Sequence, residues 1–198
     1  DDDTADDDDD DDSASEFQTL TDYLVAEDMD LPAIVDSWII GPDALFDAGV
    51  ENYFVIDIRT GDNYEPGEVD FEEGHIPGAH SVALADVVTY EAANNTSSLP
   101  VVVVCYTGQS APHGVVALRL NGVAAQSLKW GMSGWHSDFD IWSTVTGNAA
   151  NDYAGAWNDD AAPAALDIAD RPTLATGETD GAAILAARID AAVLDGFN

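Results

Sequence analysis

Apolar residues recur at Phe17, Leu20, Leu24 and Val25, the three-and-four spacing of a helix with one apolar face, so residues 17–27 are expected to be helical. Residues 31–35 read as a connector or a turn of helix, and residues 37–40 (Ser-Trp-Ile-Ile) as a strand. Gly41, Pro42 and Asp43 then open a short helix through Phe46 that ends at Gly49. A buried strand is expected over residues 53–58, and a surface loop over residues 61–74, where Gly, Asp and Glu dominate. Residues 81–84 read as a short strand, 86–92 as a short helix and 94–100 as a turn. Val101, Val102, Val103 and Val104 are four β-branched residues in a row, as in a central parallel strand covered on both faces. A helix follows from Ala111 and Pro112 to about Leu120, stopped by Asn121 and Gly122. Residues 124–128 form another strand, and residues 129–135 a loop entering a short helix.

Strands alternating with helices predict an α/β domain with a mostly parallel sheet. After Trp142 the composition shifts to Ala, Asn, Asp, Gly and Thr, which marks an extension. At its end Leu185, Ile189, Val193 and Phe197 recur every fourth residue, one helical stripe that must be covered. Asp180 can cap this helix and Gly196 can end it. The expected organisation is an Asp-rich disordered arm over residues 1–15, a helical extension over 16–36, the α/β domain over 37–142 and a C-terminal extension over 143–198 ending in a helix.

Charge narrows the partners. The chain carries 39 acidic and 5 basic residues, a formal net charge of -34, which repels nucleic acid and anionic membrane surfaces. No run approaches the 18 apolar residues of a membrane span. Such acidity fits a solvated surface adapted to high salt, which would screen the self-repulsion. The acids lack the spacing of a calcium loop, and no metal site is expected. The chain begins at Asp1 rather than Met, and an acidic arm suits a processed, exported protein, periplasmic, extracellular or a lipoprotein. The cytoplasm of a halophile is the alternative. The lone cysteine, Cys105, excludes an intramolecular disulfide and a cysteine zinc cluster.

Cys105 falls between the valine strand and a helix start, at the strand end where open α/β sheets bind ligands. The loop that follows, Cys105-Tyr106-Thr107-Gly108-Gln109-Ser110, is small and polar enough to turn its amides inward as an anion cradle. Those amides and the helix dipole would favour a nucleophilic thiolate. A lone cysteine after an apolar strand is otherwise an inert core residue.

Four segments together resemble the rhodanese-like (sulfurtransferase) domain family. Val101 to Ala111 resembles its active-site segment, and Val55-Ile56-Asp57-Ile58-Arg59 its Asp-x-Arg strand end. Gly74-His75-Ile76-Pro77-Gly78-Ala79 matches its Gly-His-Ile-Pro-Gly-Ala signature, and the stretch from Leu128 to Trp135 resembles its final strand and Gly-rich loop. The resemblance implies an open, mainly parallel five-stranded sheet flanked by helices on both faces, and a single-domain sulfurtransferase. In that chemistry Cys105 takes a sulfane sulfur from a small donor, thiosulfate or a persulfide, becomes a persulfide and passes the sulfur to cyanide, a small thiol or a protein partner. The amides of Tyr106, Thr107, Gly108, Gln109, Ser110 and Ala111 would hold the persulfide, and no metal or organic cofactor is implied.

The loop has six members, as in sulfurtransferases, whereas the related dual-specificity phosphatases have seven and end in an arginine; here Ser110 stands there. Many members carry Arg beside the cysteine, where this chain has Tyr106, so the loop holds no cation to attract thiosulfate. Thr107, Gln109 and Ser110 could donate hydrogen bonds instead. Asp57 and Arg59 are supporting candidates, either as an ion pair bracing the strand ends or as direct partners of the loop. His75 is expected to fix the loop before Pro77. His113 is expected to face solvent, Trp130 and Trp135 to be core residues or pocket walls, and Met132 to pack. The alternative function is a non-catalytic sulfur carrier or redox-sensing or binding module of the same fold.

Overall fold

The computed structural model describes residues 15–59, 71–142 and 170–195. Residues 1–14 of the acidic arm expected over 1–15, most of the loop expected over 61–74, residues 143–169 of the expected C-terminal extension, and Gly196 and Phe197 lie outside them. Among the described residues there are five strands and seven helices: α1 (Glu16–Ala26), α2 (Leu31–Val35), β1 (Ile39–Ile40), α3 (Pro42–Ala48), β2 (Phe54–Asp57), β3 (His80–Ser81), α4 (Val87–Asn94), β4 (Val101–Val104), α5 (Ala111–Leu120), β5 (Ala125–Leu128), α6 (Gly131–Trp135) and α7 (Gly181–Asp195). No helix among them is long and apolar enough to cross a membrane.

The sheet order is β1-β5-β4-β2-β3, and every pairing is parallel. The valine strand β4 is central, and side chains alternate across its two faces. Val101 and Val103 join Phe54, Ile56 and Ala125 under α4 and α5, which contribute Val87, Val115 and Leu118. Val102 and Val104 join Ile40, Val55 and Leu128 under α3 and α6, which contribute Leu45 and Met132. All four valines have no exposed surface, so the run is apolar because both faces are covered.

Two strands are shorter than their apolar runs. Ser37 adopts a left-handed φ of 50°, so β1 starts at Ile39, although the Trp38 carbonyl still accepts from the Ser127 amide. β3 is His80–Ser81; the apolar run after it bends into a 3-10 turn over Leu84–Asp86, which brings Leu84 and Val87 onto the α4/α5 side of the sheet.

The C-terminal stripe is covered as its spacing requires. Leu185, Ile189 and Val193 pack on Ala117 of α5, with Leu20, Tyr23 and Leu24 of α1 closing the cluster. α1 and α7 therefore lie outside α5 as a further layer. Asp180 caps α7, its Oδ1 accepting from the amides of Ala182 and Ala183 at 3.1 Å. Glu16, at the start of α1, grips the segment before α7, accepting from the Thr176 amide and hydroxyl at 2.8 Å and from the Gly177 amide at 2.9 Å.

The donors from Thr176, its backbone amide foremost, hold the Glu16 carboxyl below its ordinary value of 4.5. A carboxylate favoured by folding stabilises the fold above its unfolded value and loses that contribution as pH falls through the lowered one. Glu16→Gln should therefore lower the melting temperature at neutral pH. The gap between variant and wild type should close as pH drops below about 4.5. Melting curves from pH 7 to 3 measure both; a gap constant across that range would count against the grip.

Candidate functional site

β4 ends at Val104, and the chain turns from Cys105 to Ser110 into α5. Cys105 is 2% exposed, and its Sγ accepts from the Gly108 amide at 3.1 Å and the Ala111 amide at 3.4 Å. The Ala111 amide is one of the donors that a helix start leaves without a partner inside the helix. The Ser110 side chain makes no capping bond, and Pro112 has no N–H, so the cysteine sulfur takes the capping place. Such bonds are strongest when the acceptor carries charge.

The same loop is held from the opposite side. The Cys105 carbonyl accepts from the Met132 amide and the Tyr106 carbonyl from the Ser133 amide, both at 2.9 Å. These bonds fix the first two peptide units of the turn, ahead of the Gly108 amide that donates to the sulfur. The contact is tight: a Cβ on Gly131 would lie 2.2 Å from the Cys105 carbonyl oxygen, and one on Gly108 would lie 2.9 Å from the Trp130 amide. Trp130 itself sits at φ 67°, a conformation uncommon for a bulky residue. The short stretch from Trp130 to Ser133 thus sets the position of the cysteine turn.

Asp57 and Arg59 form a buried pair at the end of β2, beside β4. Arg59 Nη2 lies 2.7 Å from Asp57 Oδ2, both side chains are fully buried, and the Arg59 backbone amide donates to Asp57 Oδ1 at 3.0 Å. Nη2 also donates to the Gly74 carbonyl at 2.8 Å, tying in the segment before His75. The guanidinium lies 5.4 Å from the centroid of the Tyr106 ring and 5.3 Å from that of Phe139. Tyr106 is turned inward onto this cation.

His75 is exposed and braces its own segment, its ring stacked 3.9 Å from that of Phe71 and its Nδ1 3.0 Å from the Phe71 carbonyl oxygen. His113, expected to face solvent, is half-buried in the groove between α1, α5 and α7. Trp130 and Trp135 part company: Trp135 packs with the α3/α6 side of the core, and Trp130 is exposed. Met132 is fully buried.

Beside the cysteine turn lies a cleft of about 270 Å³ lined by Ile39, Thr107, Gln109, Pro112, Trp130 and Trp142, with Gly108 and Lys129 also on its wall. Trp130 and Trp142 meet edge to face, 5.6 Å between centroids. Lys129 lies within the Leu128 to Trp135 motif stretch without being singled out by it, and Trp142 lies outside all four motif segments; the cleft brings both beside the cysteine turn. Among the described residues no group of three or more His, Cys, Asp or Glu side chains converges as a metal site would.

Two substitutions test this frame. Gly131→Ala and Gly78→Ala both force alanine into a left-handed backbone, at about 1–2 kcal/mol. Nothing lies within 4 Å of a Cβ at Gly78, whereas Gly131 abuts the cysteine turn. Urea unfolding should show the larger loss for Gly131→Ala; equal losses would mean that the contact does not constrain the turn. Asp57→Asn removes the charge opposing a buried guanidinium and should cost about 3 kcal/mol in the same measurement.

A family model described as rhodanese-like domain matches residues 43–138. A solved rhodanese-related protein of Thermoplasma volcanium is 20% identical, over 49% of this chain and 88% of that one, with a TM-score of 0.39. A rhodanese homologue of Thermus thermophilus is 23% identical, over 47% of this chain and 94% of that one, with a TM-score of 0.31. A protein of Bacillus halodurans is 18% identical, over 52% and 73% of the two chains, with a TM-score of 0.39. No curated protein matches the chain. With the all-parallel five-stranded sheet and a cysteine turn between its central strand and a helix, residues 43–138 are a rhodanese-like domain.

Proposed function

We propose that this chain is a sulfurtransferase that carries a sulfane sulfur as a persulfide on Cys105. The observation that supports it most is the pair of amides, Gly108 and Ala111, aimed at Sγ. In the reaction, the Cys105 thiolate attacks the outer sulfur of a donor. The donor's sulfur bond breaks as the new S–S bond forms, and the rest of the donor leaves with the electron pair: sulfite from thiosulfate, a thiolate from a hydropersulfide. The N–H donors around Sγ stabilise the charged cysteine and then the persulfide. A thiol or cyanide removes the outer sulfur and restores the thiolate. Backbone from Tyr106 to Ala111 forms the cradle, with Thr107, Gln109 and Ser110 offering side-chain hydrogen bonds. Asp57 and Arg59 act through Tyr106 as positioning residues, and His75 steadies the segment tied to Arg59.

A second reading is a carrier that loads once and hands its sulfur to a partner protein, in which the burial of Cys105, 2% exposed, would shield the loaded sulfur until transfer. Turnover separates the two: an enzyme cycles with small acceptors, and a carrier does not.

The test is intact-mass spectrometry after incubation with thiosulfate or glutathione persulfide, in low and high salt, beside Cys105→Ser. A gain of about 32 Da, one sulfur, on the parent alone, lost again on adding cyanide or thiol, is the expected result. Loading by the dianion thiosulfate should rise with salt, because a net charge of -34 repels it until the field is screened. No gain from either donor at any salt would end the sulfurtransferase reading.

A further inference from the structure

In a chain with 5 basic residues against 39 acidic ones, the place of each cation is informative. Arg59 is buried on Asp57. Arg119 donates to the carbonyls of Ile34, Asp36, Ser37 and Ala125, which ties α5 to the entry into β1. Arg171 bonds Gln18 and lies over the Phe17 ring. Arg188 lines the groove between α1, α5 and α7. Lys129, the only lysine, is exposed on the wall of the cleft beside the cysteine turn, its ammonium 5.4 Å from the centroid of the Trp130 ring.

The rest of that wall is mostly apolar: Ile39, Pro112, Leu128, Trp130 and Trp142 present apolar surface beside the polar Thr107, Gln109 and Ser127, and the cavity measures about 270 Å³. It approaches the lower end of small-molecule sites, about 300 Å³, which pair apolar walls with a few placed polar groups. Gly108 both lines this cleft and donates its amide to Cys105 Sγ, so the cleft flanks the turn that holds the sulfur.

We infer that the cleft holds the organic body of a persulfide donor bearing a carboxylate, with Lys129 pairing with the carboxylate and Trp130 and Trp142 flanking the body. The inference rests on the sulfurtransferase reading of Cys105 and names the substrate class of that site. The step balances without an oxidant or reductant: the thiolate attacks the outer sulfur of R–S–SH, the donor's S–S bond breaks, R–S⁻ leaves with the electron pair, and the proton stays on the transferred sulfur. Lys129 is a specificity-determining residue here, supplying the charge that the loop itself lacks.

The test uses a matched pair of donors, the persulfides of N-acetylcysteine and of its amide, which differ in the carboxylate. Sulfur transfer to cyanide is followed at constant ionic strength in the full chain. The wild type should show a KM about threefold to fivefold lower for the acid, the range of one exposed ion pair. Lys129→Gln should abolish that preference, with the loss in KM rather than kcat, and Lys129→Arg should retain it. An equal KM for both donors in the wild type, or an equal rise for both in Lys129→Gln, would overturn the inference while leaving Cys105 chemistry intact. A second arm needs no chemistry: in Cys105→Ser, tryptophan fluorescence is titrated with N-acetyl-S-methylcysteine and its amide. Tighter binding of the acid, lost in Lys129→Gln, supports the cleft assignment even if no sulfur loads, and no difference between the ligands overturns it.

Discussion

The turn after β4 depends on backbone hydrogen bonds that pull it in two directions at once. Carbonyls of Cys105 and Tyr106 are drawn to the first amides of α6, while amides of Gly108 and Ala111 are drawn to the cysteine sulfur. The bonds to α6 fix the peptide units of the Tyr106 and Thr107 amides, and the next amide along the chain, that of Gly108, donates to Sγ. Only a chain without a side chain at Gly131 can approach this closely. The sheet supplies the platform: β4 is central and covered on both faces, and it delivers Cys105 to the carboxyl edge where parallel sheets leave their ligand crevice.

Charge explains how the two supporting regions work. A buried ion pair survives when its geometry and its further hydrogen bonds are good. Asp57 and Arg59 meet both conditions, through a short contact, a backbone amide and the Gly74 carbonyl. The same guanidinium lies against the ring of Tyr106, so this cation is buried one layer beneath the cysteine turn. The surface around the turn is left to a single lysine in a strongly negative chain. At a net charge of -34 the long-range field opposes any anion, and a short-range contact made inside a cleft is the form of attraction that persists as salt screens the field.

The sequence by itself determined the sheet and the position of the cysteine. Four β-branched residues in a row can be apolar throughout only if both faces are buried, which placed β4 at the centre. Proline at the second position of α5 and Asn121-Gly122 after it set that helix to within a residue. The stripe Leu185, Ile189 and Val193 required a cover, and α1 and α5 provide it. Four motif segments in order identified the domain because each specifies backbone and side-chain chemistry at a fixed place along the chain.

Tertiary structure decided what depends on contacts between distant segments. The lengths of β1 and β3 were not legible, because a left-handed Ser37 and the turn over Leu84–Asp86 end strands that apolar runs would extend. His113 has the composition of an exposed helix position, yet α7, some 70 residues later, half-buries it. Tyr106 reads as a loop residue until Arg59 is found beneath it. Lys129 sits in a motif stretch that gives it no role, Trp142 sits in none, and they matter because β5 and the segment after α6 bring them to the flank of the cysteine turn. Periodicity records which face of an element is buried, and motifs record local backbone geometry. Neither records which side chains meet across a cleft, since that follows from the packing of whole elements.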